Sequence, residues 1–213
     1  MSTIIRPARP IDDEALSRIC LLTGAAGSSA EGAHSLPELL GLIFAIPYNR
    51  LETTFGFVLV DMENLSEYPE GQVVGYIVGT SDTKKFEDVQ ESTWWPALRE
   101  KYPKGNPSSR TEADSNLINV FIHSPYTNPE DITSHHSAHI HIDILSSHQR
   151  RGFGRKLMAA AVGYLQEMGR TSLFVGLDPK NEEAKKFYAN LGFNRINKEG
   201  GEWWALDFKD FRA

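Results

Sequence analysis

Short apolar runs and helix-period segments alternate along the chain in a readable order. Residues 3–9 read as a first strand, and residues 11–22 as a helix with acidic residues in its opening turn. A Gly-, Ala- and Ser-rich stretch over 23–34 is a loop, and residues 36–47 form a second helix closed by Pro47. Residues 55–61 and Gln72–Thr80 are two strands joined by a polar turn region, so an antiparallel pair is expected. Gly75 and Gly79 inside the second strand imply a bulge or a closely packed backbone.

Some 57 residues, 81–137, then intervene before the next strong pattern. Their second half is rich in Pro, Ser and Asn, with one apolar island over 117–123 that reads as an extra strand or a packing arm. Beyond it come an apolar strand over 138–145 and a glycine loop over 149–154. A helix follows over 153–168, then a second buried strand, Ser172–Leu177. Pro179 and Asn181 mark the start of a helix running to Leu191, Gly192 stands where a left-handed cap belongs, and residues 202–208 are the final strand.

At 213 residues the chain is long enough for a sizeable core, and it is read as a single domain, 1–213, carrying an insertion at about 81–137. Cys20 is the only cysteine, which excludes an internal disulfide and fits a reducing compartment. No basic-then-apolar leader opens the sequence and no apolar run approaches the ~20 residues that span a bilayer, so a cytoplasmic or nucleocytoplasmic protein without a membrane partner is expected. A net charge of −6 argues against general nucleic-acid binding and is compatible with an amine-bearing substrate. Oligomeric state is not legible.

The glycine loop carries the chemistry. Gln149-Arg150-Arg151-Gly152-Phe153-Gly154 lies between a strand and a helix, where glycines allow close backbone approach and a helix start offers unpaired N–H groups and a positive dipole end. Such a loop binds pyrophosphate. The loop lacks the third glycine of a dinucleotide fingerprint and the Gly-Lys-Ser/Thr ending of a P-loop. The pattern (Gln/Arg)-x-x-Gly-x-Gly resembles the acetyl-CoA loop of the GNAT superfamily of N-acetyltransferases. The spacing Asn181-x-x-Ala184-x-x-Phe187-Tyr188-x-x-x-Gly192-Phe193, which begins 27 residues after Gly154, resembles that superfamily's second signature.

A narrower resemblance runs from Gln72 to Phe193. Val-Gly-Tyr-x-x-Gly-Thr, then Trp-x-Pro-x-Leu-x-x-Lys-Tyr-Pro around Trp94 to Pro103, then His-Ile-Asp-Ile-Leu at 141–145, is similar to the acetyltransferase-like C-terminal domain of O-GlcNAcase and its free-standing microbial relatives. Animal versions of that domain have lost the glycine loop, whereas here it is intact. The resemblance implies an α/β (α+β) GNAT fold: a central mixed, mostly antiparallel twisted sheet of six to seven strands, splayed at the cofactor site and flanked by helices. It implies an acetyl-CoA-dependent N-acetyltransferase acting by direct transfer on an amine-bearing small molecule, peptide or protein. A catalytically silent acetyl-CoA-binding or interaction module is the alternative.

By the same resemblance, the backbone of Ile142, Asp143, Ile144 and Leu145 would receive the pantetheine arm at a bulged strand. Gln149, Arg150, Arg151, Gly152, Phe153, Gly154 and Arg155 would hold the pyrophosphate, and Asn181 would contact the arm or simply cap its helix. Tyr188 is the expected general acid, since a tyrosine with a pKa of about 10 stays protonated at neutral pH; packing without a proton role is the alternative. The base is expected at Asp143, with His141 as second choice or orienting partner, because the glutamate of the superfamily's histone acetyltransferases would fall at Ala138. A structural Asp–His pair is the other reading. His139, His141 and Asp143 alternate onto one strand face, yet no cysteines accompany them and the superfamily's chemistry needs no metal, so none is expected. Phe86, Trp94, Trp95 and Tyr102 are expected in a core or shaping the substrate pocket.

Overall fold

The computed structural model describes residues 2–105, 107–124 and 126–213. Seven strands form one sheet: β1 Thr3–Pro7, β2 Thr54–Asp61, β3 Gln72–Thr80, β4 Ala138–Ile144, β5 Ser172–Leu177, β6 Asn194–Ile196 and β7 Glu202–Asp207. Their spatial order is β1-β2-β3-β4-β5-β7-β6, and every neighbouring pair is antiparallel except β4 with β5. This is the mostly antiparallel, helix-flanked α/β architecture expected from the sequence.

Strand alternation sorts the central residues onto two faces. Leu59, Ile77 and Ile140 pack beneath the long helix α8 (Phe153–Glu167), against its Leu157, Met158, Ala161 and Leu165. Val58, Val60, Tyr76 and Val78 face the other way, under Leu16, Ile19 and Cys20 of α1 (Asp13–Thr23). Because both faces are covered, β2 and β3 read in sequence as nearly continuous apolar runs.

Two expectations are corrected. The segment 36–47 is not one helix: α2 (Leu39–Phe44) is followed by a separate turn, α3 (Pro47–Arg50), in which Pro47 occupies a first-turn position. A proline tolerates that place because its missing N–H would have no helical partner there, so it opens an element instead of closing one. The island 117–123 is helical, not a strand. Within the insertion, α4 (Thr83–Val89) runs through a π-helical turn, Gln90–Trp94, into α5 (Trp95–Lys101), and α6 (Glu112–Leu117) continues into a second such turn, Ile118–Ile122. Ile118 and Ile122, four residues apart, are both buried against Leu39, Ile43, Trp95, Leu98 and Tyr102. Short α7 (Glu130–Thr133) leads into β4.

One buried carboxylate ties this insertion to the body. Thr111 caps α6 at the backbone of Asp114 (3.1 Å). Asp114 itself is fully buried and accepts from Ser35 N (2.8 Å), Ser35 Oγ (2.6 Å) and Leu36 N (3.2 Å), with His34 Nδ1 2.7 Å away. Burial alone would raise its pKa, but the bonds from Ser35, His34 and Thr111 outweigh burial and bring it down to about 2. Its contribution to stability is therefore complete above 3.8 and is lost as pH falls toward 2. Asp114→Asn is expected to cost about 1.5–3 kcal/mol in urea unfolding near neutral pH, the scale of lost charge-assisted hydrogen bonds. An unchanged midpoint would mean that the insertion is held by its apolar contacts alone.

Candidate functional site

Strands β4 and β5 pair only at Ala138↔Leu173 and His139↔Phe174, and then part. On its other edge β4 stays in unbroken register with β3 from Thr80↔His139 to Gly75↔Ile144. The bulge expected in this central strand falls one strand earlier, where Leu59 pairs with Gly75 and Val60 with Val73. Leu145 N donates to Val74 O (2.9 Å), so by alternation the N–H groups of Asp143 and His141 also point at β3 while those of Ile142 and Ile144 point into the opening. Of the four backbone positions expected to receive an arm, Ile142 and Ile144 remain; the N–H groups of Asp143 and Leu145 are turned away.

The loop after β4 closes on that opening. Gln149 Nε2 donates to the Ile144 carbonyl (2.7 Å), so this side chain satisfies the strand end. Arg150 (φ 58°) and Gly152 (φ 79°) are left-handed, and Gly152 caps α8. The N–H groups of Gly152, Phe153, Gly154 and Arg155 have no backbone partner among the described residues, leaving four successive donors at a helix start. Gly154 is glycine because a Cβ there would lie 2.9 Å from the Phe187 ring. Arg150 reaches Glu183 (3.2 Å), Arg151 lies over the Phe153 ring (5.1 Å), and Arg155 donates to the Arg212 carbonyl.

Facing the loop is α9 (Glu182–Leu191). Asn181 caps it, its Oδ1 accepting from Ala184 N (3.0 Å), and Gly192 terminates it at φ 100°. Tyr188 is buried edge-on to Phe193 (4.8 Å) and Phe187 (5.2 Å). No hydrogen bond joins its hydroxyl to another described residue, and the hydroxyl is not one of the buried polar atoms left without a partner. Burial, reinforced by the nearby charge of Asp143, pushes its pKa up and keeps it protonated.

The face bearing His139, His141 and Asp143 is as alternation requires, but the expected Asp–His pairing does not form. Asp143 accepts from Tyr76 OH (2.6 Å) and Thr23 Oγ1 (2.9 Å) under α1. Burial raises its pKa against the pull of those bonds. His141 Nε2 instead meets Tyr48 OH (3.2 Å), which lies 2.7 Å from His139 Nε2, and His139 Nδ1 lies 2.7 Å from Thr83 Oγ1. Thr83 also reaches the Ser137 carbonyl (2.8 Å). If Thr83 donates there, it accepts from His139 Nδ1, His139 Nε2 accepts from Tyr48, and Tyr48 accepts from His141 Nε2–H. His141 then presents a bare Nδ1; only if Thr83 leaves the Ser137 carbonyl and donates to His139 Nδ1 do the His139–Tyr48–His141 links reverse and put a proton on it. Burial depresses the pKa of both imidazoles, that of His141 to about 4, with His141 adding to the effect at His139.

His139 and His141 line a cleft of about 560 Å³, to which β5 contributes Phe174, Gly176 and Leu177 and the insertion contributes Phe86, Glu87 and Trp95. Asp143 is not among the lining residues. Tyr102 and Trp94 stay outside it, Tyr102 in the insertion core and Trp94 donating to the Leu42 carbonyl (2.9 Å). Sequence reasoning missed Tyr48 and Glu87. Proline followed by tyrosine at a helix start was a usable signal for the first; nothing local marks the second. Among the described residues, no group of three or more His, Cys, Asp or Glu side chains is placed to hold a metal ion.

The model of the acetyltransferase (GNAT) family matches residues 43–193. The chain belongs to the GNAT family. Its fold matches the crystal structure of SsHAT over 98% of this chain and 99% of that one, with 32% identity and a TM-score of 0.83. Protein O-GlcNAcase of Rattus norvegicus is 25% identical over 199 residues, 92% of this chain and 20% of that protein, so the chain spans about a fifth of this relative's length. The L-amino acid N-acyltransferase MnaT of Escherichia coli is 27% identical over 82 residues, 36% of this chain and 45% of that protein. The PaiA N-acetyltransferase of Thermoplasma acidophilum, solved with coenzyme A, shares the fold alone: 12% identity, coverage of 97% and 99%, and a TM-score of 0.54. Acyl transfer is the family's chemistry, and the splay, the glycine loop and α9 all fall within the matched residues 43–193.

The buried histidines generate a pH prediction. An imidazole held neutral in the fold but free to charge in the unfolded chain gives its full contribution above 6.5, and that contribution is lost as pH falls toward about 4. Melting temperature is expected to drop over this window, and His141→Gln should flatten the drop. A variant whose melting curve keeps the wild-type pH slope would show that other groups set the acid limit.

Proposed function

We propose that the protein is an acetyl-CoA-dependent N-acetyltransferase that acts by direct transfer to an amine. The observation that carries this assignment is the parting of β4 from β5 directly beside four N–H groups at the start of α8 that have no backbone partner among the described residues. Those donors suit a pyrophosphate, and the open N–H groups of Ile142 and Ile144 suit an amide-bearing arm, so the residues present fit the cofactor. Acetyl-CoA would supply the activated acyl group. The charges of Arg150, Arg151 and Arg155 add to the field of the loop.

Proton handling falls to side chains on opposite sides of the opening. His141, neutral and facing the cleft, takes the proton of the incoming amine at Nδ1, while Tyr48 and His139 hold its ring and the Thr83 bond to the Ser137 carbonyl sets the direction that leaves Nδ1 bare. Tyr188, protonated and without a competing partner, gives its proton to the departing thiolate. Asp143 remains a structural carboxylate shared by Tyr76 and Thr23. His141 thus replaces Asp143 as the favoured base, because it lines the cleft and Asp143 does not.

Acetyl-CoA is expected to raise the melting temperature by mass action. With an amine acceptor, His141→Gln and Tyr188→Phe should each lower kcat by ~10²-fold while preserving that thermal shift. Asp143→Asn should lower the melting temperature but leave kcat within a few-fold. Full turnover by the His141 variant would move the base elsewhere, and absence of any acetyl-CoA shift would remove the cofactor assignment.

A further inference from the structure

The wall of the cleft has a consistent chemical character. Among its described lining residues none is Lys or Arg, whereas Glu87, Asp178 and Glu202 are all carboxylates. Only Glu202 of the three is charge-paired among the described residues, with Arg195 (2.7 Å), and it also accepts from Trp204 Nε1 (2.8 Å); Asp178 accepts from Lys180 N (2.8 Å) and, like Glu87, keeps its charge. Glu87 is the one of these two that the insertion supplies. Its Oε1 accepts from the backbone N–H (2.7 Å) and side chain (2.8 Å) of Asn128, which fixes its position without neutralising its charge.

Among the described residues Glu87 forms no ion pair. Lys84, one turn earlier, is paired with Glu130 (3.8 Å), and the adjacent Asp88 adds negative charge. Partial burial raises the carboxyl's pKa and Asp88 adds to the effect, against the pull of the Asn128 bonds and of the Lys84 charge. Around it the wall is aromatic: Tyr48 and Phe86 stack at 4.4 Å, and Phe44, Phe121 and Tyr126 continue the surface. Electron-rich ring faces and a carboxylate outside any ion pair among the described residues attract the same ligand group, a cation.

Building on the acetyltransferase assignment, we infer that the acceptor is a small alkyl or arylalkyl amine carrying no carboxylate or phosphate, drawn in as its ammonium by Glu87 and the aromatic wall. An amino acid would bring an anion into a cleft whose lining offers no cation to meet it. The insertion is thereby the specificity element, since α4 supplies Phe86 and Glu87 and the segment before α7 supplies Tyr126 and Asn128.

The test uses phenethylamine and L-phenylalanine, which share one aromatic body and differ by a carboxylate, with 2-phenylethanol as the uncharged control. Titration calorimetry on the full chain loaded with coenzyme A needs no turnover, and the acetyl-CoA thermal shift reports independently on cofactor binding. Phenethylamine is expected to bind at least ten-fold more tightly than either other probe. Glu87→Gln, which keeps the Asn128 contact and the shape, should erase most of that preference while leaving the acetyl-CoA shift intact. Equal or tighter binding of phenylalanine, no binding of phenethylamine, or an undiminished preference in the Glu87 variant would overturn the acceptor assignment even if acetyl-CoA binds. Loss of the acetyl-CoA shift in the wild type would instead strike the acetyltransferase assignment beneath it.

Discussion

Everything in this molecule is arranged around one unfinished strand pair. A backbone edge inside a folded chain must find partners for its N–H and C=O groups, and β4 beyond His139 has such partners on one side only. The other side is left for a ligand or for local repair, and Gln149 performs the repair at Ile144. Keeping the pair open requires that each strand be secured elsewhere. β3 holds β4 along six consecutive positions, and β7 holds β5 along its whole length. The opening is therefore a property of the sheet's hydrogen-bond accounting, not of a flexible loop.

Parallel neighbours need a crossover, and α8 is that crossover, so the loop leaving β4 must turn directly into a helix start beside the gap. Two left-handed residues make the turn, and Gly154 lets Phe187 of α9 press against α8 where a larger residue would hold them apart. Alternation along β4 then divides the labour. Isoleucine side chains enter the α8 core while their N–H groups face the gap, and histidine side chains enter the cleft while their N–H groups bind β3. One strand thus offers backbone N–H groups on one side and side chains on another without conflict.

The sequence disclosed the parts whose signals are local. Strand bounds at Gln72–Thr80 and Ser172–Leu177, the glycine loop, the Asn181 cap and the shared face of His139, His141 and Asp143 all follow from periodicity, capping and turn chemistry. Partners across the fold did not. Asp143 and His141 are two residues apart on one face and invite pairing. Yet Tyr76, across the β3–β4 pair, and Thr23, at the end of α1, claim the carboxylate, and Tyr48 claims the imidazole. The island 117–123 was ambiguous for another reason: a short apolar run satisfies a buried strand and a buried helix equally, and only its packing against Leu39, Ile43, Trp95, Leu98 and Tyr102 decides. Strand β6, three residues long, is too short to carry any period.

The insertion completes the cleft's logic. It enters between β3 and β4, the two strands whose pairing sets the histidine face, and so its first helix necessarily begins beside the N-terminal end of β4. Thr83 at that point fastens twice to the body, through Ser137 and through His139, so the wall residues Phe86 and Glu87 are placed one turn later with little freedom. Asp114 fixes the far side of the insertion to the entry of α2, opposite. The glycine loop and the insertion's wall residues are consequently separate stretches of chain that lie on either side of β4 in sequence. On the proposed reading, substitutions in the insertion would alter the cleft wall without disturbing the N–H groups of Ile142, Ile144 and the start of α8, so acceptor preference could change while the acyl-transfer frame is kept.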